Sequence, residues 1–325
     1  MPLAQAEPSG RVAVVGGGAI GVGWAIVFAS AGRDVVVFEP DAARRAELPG
    51  DCVARLGRLA RGGLLPEPAD TIAARVTLGM SLADAVADTT HVQECGPEDA
   101  DLKRGLFELI EEAAPETAVI ASSSSAITAS TIASDLRTRS RCIVAHPGNP
   151  PYLLPVVELV PAPFTDPDVV GRAEVFFGSV GMVPVTLARE IEGFVFNRLQ
   201  GALLREAYCL VRDGVVTAEG VDRAVRDGLG RRWAVVGPFE TAALNVRGGV
   251  EAHAARMGEA YARMGAERGQ HDPWTTELVE LVAADLERRL PAAGWDEHVA
   301  RRDEAMIALE RARRDSDAFP VGDST

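Results

Sequence analysis

The chain has 325 residues, of which 47% are hydrophobic and 25% charged, and its formal net charge is −14. Because a single core seldom grows beyond about 250–300 residues, we expect two domains. A surface this acidic repels nucleic acid and anionic membranes and so excludes both as expected partners. The apolar runs are too short for a transmembrane helix, and no signal-peptide pattern is present. Four widely spaced cysteines without a C-x-x-C motif predict reduced thiols, no metal site and a cytoplasmic protein.

The first element along the chain is the apolar run 11–15, which predicts a buried strand leading into a glycine-rich turn. The turn has the sequence Gly16-Gly17-Gly18-Ala19-Ile20-Gly21, a G-x-G-x-x-G motif, and an apolar helix pattern follows it. Gly16 permits the tight turn, Gly18 lets a pyrophosphate approach the backbone, and Gly21 allows close packing of helix on strand. The first N–H groups of the helix, around Ala19 and Ile20, and its positive dipole end would hold the phosphates. The motif predicts a dinucleotide site.

The second apolar run, 35–38, ends at Glu39, at the distance from the glycine motif where a ribose-binding acid is expected. A carboxylate there can accept hydrogen bonds from the adenosine ribose, and it would repel the 2′-phosphate of NADP. Glu39 therefore favours NAD as the cofactor. Arg44 and Arg45 could in principle accept that phosphate, but we interpret them as solvated helix residues.

Strand and helix patterns alternate through the rest of the first half. The predicted strands are 90–94, 118–122, 142–146, 156–160 and 183–187, with a helix pattern over 102–114. This alternation predicts a mainly parallel sheet covered by helices on both faces. In such sheets ligands bind at the carboxyl ends of the strands, where Ser122–Ser125 and His146 both fall.

The second half has only helix patterns. Apolar residues recur at helical spacing from Leu199 to Val211, Thr217 is placed to cap a following helix, and further helical stretches cover 251–268, 274–290 and 296–313. We predict an α/β architecture: a Rossmann-type domain over residues 1–188, with a mainly parallel sheet, and an all-helical domain over residues 189–325.

His146 and Glu158 are the strongest candidates for catalysis. His146 ends a predicted strand and enters a stiff loop that contains three prolines in residues 147–151, and an imidazole titrates near neutral pH. Glu158 lies in an apolar strand, where a carboxylate is costly to bury without a partner. On neighbouring strands the carboxylate would fix the tautomer of the imidazole and raise its basicity. The alternative is a structural histidine capped by a backbone carbonyl; beside a dinucleotide motif we favour catalysis.

Two polar sites have two interpretations each. The hydroxyls of Ser122–Ser125 can hydrogen-bond a substrate oxygen or cap the following turn. Asn197 is polar at an otherwise apolar helix start, and it either binds substrate or caps local backbone.

Several motifs resemble the L-3-hydroxyacyl-CoA dehydrogenase family, over about residues 11–313. In chain order they are the glycine motif, the stretch Glu94–Lys103, the serine cluster, His146, Glu158 and Gly193-Phe-x-x-Asn197-Arg198. The stretches 91–99, 143–152 and 228–234 are similar to its L-gulonate 3-dehydrogenase and lambda-crystallin branch. The resemblance implies that His146 is the general base with Glu158 as its partner. It implies that Ser125 and Asn197 bind the substrate oxygen, that Glu98 and Lys103 contact NAD, and that the chain forms a homodimer through its helical domain.

The chain also departs from the acyl-CoA pattern. Ser123 and Ser124 replace the usual Asn and Thr, and Pro147 follows the histidine. Arg232 could hold a substrate carboxylate in a bidentate pair, or it could form a structural salt bridge. The basic stretch Arg55–Arg61 is compatible with a CoA ligand, because its arginines could contact phosphates, although we interpret it as a solvated helix face.

These departures favour NAD-dependent oxidation of the 3-hydroxyl of a small hydroxy acid, with L-gulonate as the leading substrate. The alternatives are a 3-hydroxyacyl-CoA dehydrogenase, an L-carnitine dehydrogenase, a biosynthetic ketoreductase, or an NAD-binding structural protein with little turnover.

Overall fold

The computed structural model describes residues 10–234, 237–246, 249–269, residue 277 and residues 295–314. It forms two compact units: the first extends to Asn197 and includes the chain again from Asp303, and the second begins at Arg198. Most of the predicted helix 274–290 lies outside the described residues. Within the described ranges, no helix combines the length and the apolar character that a bilayer span requires.

An eight-stranded sheet forms the centre of the first unit. Its strands are β1 (Arg11–Val15), β2 (Val35–Phe38), β3 (Val76–Leu78), β4 (Thr89–Glu94), β5 (Val119–Ser122), β6 (Cys142–Pro147), β7 (Val156–Pro161) and β8 (Val183–Thr186). They lie in the order β3-β2-β1-β4-β5-β6-β7-β8, and the neighbours from β3 through β6 are parallel. The predicted mainly parallel sheet is confirmed.

The sheet reverses direction at β7, which the sequence analysis did not predict. β7 is antiparallel to β6, and β8 is parallel to β7. The connection 148–155 contains no helix and is shorter than the crossover of about a dozen residues that a parallel neighbour needs. Strand β3 was not predicted, because its three residues are too few to show a strand pattern.

Helices cover the sheet on both faces. They are α1 (Ala19–Ser30), α2 (Ala42–Arg61), α3 (Ala69–Ala74), α4 (Leu82–Val86), α5 (Ala100–Ala113), α6 (Ala129–Ala133) and α7 (Pro167–Ser179). Successive side chains of β1 enter different cores: Val12 and Val14 pack in one cluster, Ala13 and Val15 in another. This alternation is the period of two that a strand imposes, and both clusters are almost free of solvent.

The described part of the second half contains only helices, as predicted. They are α8 (Phe196–Arg212), α9 (Ala218–Ala224), α10 (Gly230–Trp233), α11 (Pro238–Leu244), α12 (Gly249–Arg268) and α13 (Trp295–Arg314). Thr217 caps α9, because its hydroxyl accepts the N–H of Gly220 at 3.1 Å. One feature was not predicted: Ile307 of α13 is buried in the core of the first unit, against Gly62.

The parallel strands place the chemical groups at one edge. β1, β4, β5 and β6 run in the same direction, so the residues that follow them share the carboxyl edge of the sheet. The glycine turn follows β1, Cys95 follows β4 and Ser123 follows β5, while His146 lies at the end of β6. The point between β1 and β4 is where the strand order reverses, which is where such sheets bind nucleotides.

Candidate active site

The glycine turn after β1 is shaped for a phosphate. Gly16 has φ +110°, and a Cβ there would lie 2.7 Å from the carbonyl oxygen of Cys95. A Cβ on Gly21 would lie 1.9 Å from the carbonyl oxygen of Gly16, so α1 packs here without room for a side chain. Gly18 is exposed, and a Cβ on it would meet nothing within 4 Å. The space above Gly18 and the uncapped first turn of α1 at Ala19 fit a dinucleotide pyrophosphate.

Glu39 lies directly beside this turn. Its Oε2 accepts the N–H of Gly17 at 2.7 Å, and its Oε1 accepts the N–H of Asp41 at 2.9 Å. Each oxygen keeps acceptor capacity for a ribose hydroxyl. The carboxylate that the sequence analysis assigned to the ribose is thus fixed against the phosphate-binding turn.

Arg44 and Arg45 are not free solvated side chains, which corrects our interpretation of the sequence. Arg44 donates from Nε to the carbonyl oxygen of Gly17 at 2.8 Å and from Nη2 to Asp51 at 2.5 Å. The hydrogen bond that Arg44 donates to Asp51 is the main reason that the pKa of Arg44 is raised. Arg45 donates to the carbonyl oxygen of Glu39 at 2.7 Å. Both guanidinium groups therefore brace the turn and its acid, an arrangement in which neither is available to a 2′-phosphate without losing a partner.

His146 and Glu158 are in direct contact. They face each other in the antiparallel register of β6 and β7, and Nδ1 of His146 lies 2.8 Å from Oε2 of Glu158. Both residues are buried, with exposed fractions of 6% and 2%. The other carboxylate oxygen, Oε1, accepts the backbone N–H of Val195 at 2.7 Å and of Phe196 at 2.9 Å.

These contacts determine the protonation of the pair. Burial acts to raise the pKa of Glu158, but the hydrogen bonds from His146, Phe196 and Val195 outweigh it and hold the pKa below its ordinary value. An ionised carboxylate only accepts hydrogen bonds, so the proton between the two residues belongs to Nδ1 of His146. The lone pair of the neutral ring then lies on Nε2, the arrangement in which an imidazole can accept a proton.

The serine loop after β5 fills one of the two roles that the sequence left open, the capping of its own turn. The hydroxyl of Ser124 accepts the N–H of Ile127 at 2.7 Å and so caps the turn. Ser125 is exposed, its carbonyl oxygen accepts the side-chain N–H of Asn197 at 2.9 Å, and its hydroxyl has no partner among the described residues. Ser125 and Asn197 are thus together at the carboxyl edge of the sheet, with a hydroxyl free for a ligand.

Glu98 holds this loop in place. Its Oε1 accepts the hydroxyl of Ser124 at 2.6 Å and the backbone N–H groups of Ser125 at 2.9 Å and Ala126 at 3.0 Å. The side chain is 43% exposed, and its second oxygen, Oε2, lies 3.8 Å from Nζ of Lys103. Glu98 was predicted as a cofactor contact, and its hydrogen bonds to the serine loop were not predicted.

Lys103 points into the protein. Its Nζ donates to both oxygens of Glu94, at 2.8 and 2.9 Å, and to the carbonyl oxygen of Gly96 at 3.3 Å. Only 2% of its side chain is exposed. We predicted Lys103 as an NAD contact, and in the structure its ammonium group instead binds groups of the protein itself. Glu94 also accepts the hydroxyl of Ser122 at 2.6 Å and ties the loop after β4 to the serine loop. We missed Glu94, although an acid at the end of a predicted strand of a buried sheet needs a partner.

Arg232 lies on α10 in the second unit. It is exposed, and its Nη1 is 3.5 Å from the side-chain oxygen of Asn245. Within the part of the chain that the structure describes, no carboxylate lies within salt-bridge distance of its guanidinium. The structural salt bridge considered from the sequence is therefore absent among these residues, and most of its N–H donors remain free for a ligand.

Comparison with known proteins covers nearly the whole chain. Residues 11–191 match the 3-hydroxyacyl-CoA dehydrogenase NAD binding domain, and residues 193–288 match the C-terminal domain of the same family. The chain is 35% identical to lambda-crystallin of Oryctolagus cuniculus over 95% of this chain and 98% of that protein. It is 37% identical to L-carnitine dehydrogenase of Streptomyces griseus over 96% of this chain and 90% of that protein.

A solved structure is similar in both sequence and fold. The (S)-3-hydroxybutyryl-CoA dehydrogenase of Ralstonia eutropha is 26% identical, with a TM-score of 0.65, over 84% of this chain and 93% of that chain. The names of the two dehydrogenases give different substrates, and the name lambda-crystallin gives none. The comparisons thus agree on the kind of protein and leave its substrate to the chemistry of the site.

Proposed function

The chain belongs to the 3-hydroxyacyl-CoA dehydrogenase family and is an NAD-dependent oxidoreductase that acts on CH–OH groups. From this premise we propose that it oxidises the 3-hydroxyl of a small hydroxy acid, with L-gulonate as our leading candidate. The observation that carries the proposal is the buried contact of His146 with Glu158, at the same sheet edge as the glycine turn.

Each group of the site has a part in this reaction. NAD, when bound, accepts the hydride from the substrate carbon. His146 takes the hydroxyl proton on Nε2, and Glu158 stabilises the imidazolium that results. The hydroxyl of Ser125 and the amide of Asn197 hydrogen-bond the substrate oxygen as it becomes a carbonyl. The glycine turn with Glu39 would hold the adenosine half of the cofactor. Lys103 holds the loop between β4 and α5, and Glu98 in that loop holds the serine loop.

A free carboxylate is supported by Arg232. Its guanidinium is exposed and has no acidic partner among the described residues, and a bidentate contact with a carboxylate is its strongest available interaction. A thioester group has no negative charge, so in the acyl-CoA alternative only the phosphates of CoA would pair with this guanidinium. The basic face of α2 supports that alternative, yet Arg55 already donates to the carbonyl oxygen of Ala19 at 3.1 Å.

A substrate panel tests the choice. NADH formation is measured side by side with L-gulonate, L-carnitine and a 3-hydroxyacyl-CoA. Turnover of L-gulonate, with a KM raised in Arg232→Ala and less so in Arg232→Lys, supports the proposal. Activity with the thioester alone overturns our substrate, and activity with L-carnitine alone selects that member of the family.

His146→Ala tests the mechanism and the structural-protein alternative in the same assay. We expect this variant to fold, to bind NAD and to lose turnover by a factor of about 10³, within the range for removal of an essential base. Turnover that persists undiminished in His146→Ala removes His146 from the mechanism. Wild-type protein that binds NAD but oxidises none of the three substrates favours the structural role.

We also propose that two copies associate through the helical half predicted from residue 189 onward. The described helices and turns of this half expose several large apolar side chains, each more than half accessible: Leu199, Val215, Phe239, Leu244, Tyr261 and Met264. Covering such side chains with a second copy removes them from water. Sedimentation is expected to give twice the mass of one chain, and a single species with the mass of one chain contradicts the dimer.

A further inference from the structure

The turn that precedes α8 has a backbone conformation that its sequence does not favour. Gly193 has φ +74° and Phe194 has φ +49°, and Phe194 is the sole non-glycine residue with positive φ in the described chain. A bulky L-residue is strained in this left-handed region, and such strain persists only where the surroundings enforce it. The ring of Phe194 is fully buried in a cluster with Val144, Val160 and Leu187, and this packing holds the turn.

The strained turn has a visible consequence at the active site. Immediately after Phe194, the backbone N–H groups of Val195 and Phe196 both point at Oε1 of Glu158, at 2.7 and 2.9 Å. Phe196 begins α8 and Val195 directly precedes it, and N–H groups at a helix start have no partner within the helix. Oε1 is thus occupied, and Oε2 is left for Nδ1 of His146.

We propose that the Gly193–Phe194 turn is a positioning device for the reaction, which directs two backbone N–H groups at one oxygen of Glu158 so that the other oxygen stays on His146. Val195 and Phe196 act through Glu158 and are positioning residues, since neither N–H touches the reacting atoms. The inference rests on the proposed role of His146 as the base. It adds to that role the element that keeps Glu158 ionised and correctly rotated.

Few other groups influence this carboxylate. Besides burial, the contributions that shift the pKa of Glu158 come from His146 and from the amides of Phe196 and Val195. The rings packed on His146 are those of Phe194 and Phe196, at centroid distances of 5.6 and 6.4 Å, and they carry no charge. Loss of one amide is therefore expected to act on the His146–Glu158 pair without compensation from a neighbouring charge.

Phe196→Pro isolates one of the two N–H groups. Phe196 is the first residue of α8, where proline fits the helix and simply lacks the N–H. The matched control is Phe196→Ala, which loses the ring and keeps the N–H. Relative to the control, we expect Phe196→Pro to lower kcat about tenfold near neutral pH, because one hydrogen bond to an ionised group is lost. In a plot of kcat against pH, the midpoint of the acid limb is expected to move to higher pH by about one unit. The affinity for NAD is expected to stay unchanged.

A second measurement needs no variant. In protein labelled with ¹⁵N-Val and ¹⁵N-Phe, the amide signals of Val195 and Phe196 are expected to shift in the acid step in which Glu158 takes up a proton. Equal kcat and equal pH profiles in Phe196→Pro and Phe196→Ala overturn the inference, as do amide signals that do not respond to this step. If His146→Ala keeps full turnover, the proposed function fails instead, so the two failures are distinguishable.

Discussion

The carboxylate of Glu98 accepts the backbone N–H of Ser125 at 2.9 Å, while the carbonyl oxygen of the same serine accepts the side-chain N–H of Asn197 at 2.9 Å. Ser125 is therefore held at both its backbone N–H and its carbonyl oxygen, by an acid from the loop after β4 and by a side-chain amide from α8. The backbone that carries its free hydroxyl is thereby fixed. A group aimed at a developing carbonyl oxygen needs this fixed placement.

We predict that Glu98→Ala lowers kcat/KM about tenfold, because the serine turn loses three hydrogen bonds and Ser125 moves. Glu98→Gln keeps a carbonyl oxygen for the same donors and is expected to lose less. Steady-state kinetics with the best substrate of the panel provide the measurement, and NADH fluorescence reports cofactor binding. If Glu98 acts only as a direct cofactor contact, the cofactor affinity falls instead and kcat at saturating NAD is unchanged.

We predict a larger loss of activity in Glu158→Gln. The glutamine oxygen can still accept the N–H groups of Val195 and Phe196, which directs the glutamine NH₂ at Nδ1 of His146. That nitrogen must then accept, so the ring proton moves to Nε2 and the base is lost. We expect kcat to fall by about 10²–10⁴ with little change in unfolding temperature, as for other catalytic histidines held in the wrong tautomer.

The control for this prediction is NAD binding, which Glu158→Gln leaves intact because the glycine turn is untouched. A kcat within threefold of the wild type contradicts the tautomer assignment.

Local sequence signals predicted the parts of the site that depend on local structure. The glycine motif specifies its own turn, since Gly16 and Gly21 lie where any Cβ would collide with backbone. The pairing of His146 with Glu158 followed from two strands that are close in sequence, and their antiparallel register places the residues opposite each other. Helix caps such as Thr217 were equally local.

The parts that were missed depend on contacts between distant segments. Trp24 donates to the hydroxyl of Ser123 across 99 residues, and Ile307 packs on Gly62 at the far end of the chain. Nothing in the sequence near Lys103 shows that its ammonium turns inward to Glu94. The left-handed conformation of Phe194 is imposed by tertiary packing against the preference of the residue itself. The predicted cytoplasmic location stays a prediction.

We predict that Gly18→Ala separates folding from cofactor binding. Gly18 has an ordinary φ of −69°, and the added methyl meets no protein atom within 4 Å, so the free energy of unfolding changes little. The methyl occupies the approach to the turn that the pyrophosphate needs. We expect the dissociation constant for NAD to rise about tenfold or more, equivalent to about 1.4 kcal/mol.

Gly50→Ala is the matched control for Gly18→Ala. Gly50 is an exposed residue of α2, and a Cβ added to it would also meet nothing within 4 Å. Titration calorimetry with NAD compares the two variants, and equal affinities would mean that the cofactor does not pass over Gly18. Gly21→Ala is expected to fail in folding itself, because its methyl would overlap the carbonyl oxygen of Gly16.

The last prediction concerns stability and its dependence on pH through His91. This ring is 2% exposed, stacks on Phe176 at a centroid distance of 4.2 Å, and lies 3.0 Å from the side-chain oxygen of Gln93. Burial lowers its pKa to about 4, against the opposing effect of Gln93. The unfolded chain takes up a proton on this histidine near pH 6.5, whereas the folded chain resists protonation until about pH 4.

Since the unfolded state binds more protons in this window, the free energy of unfolding falls as the pH falls from about 6.5 to about 4, by about 3 kcal/mol in total. Glu158, whose pKa is held low, adds a loss of the same sign only below its ordinary value of 4.5. Urea unfolding at pH 7 and pH 4.5 measures the difference. His91→Leu is expected to be less stable at pH 7, because it loses the Phe176 stack, yet to show a flatter dependence on pH. Identical pH dependence in the wild type and His91→Leu would show that this histidine is not the buried neutral group described above.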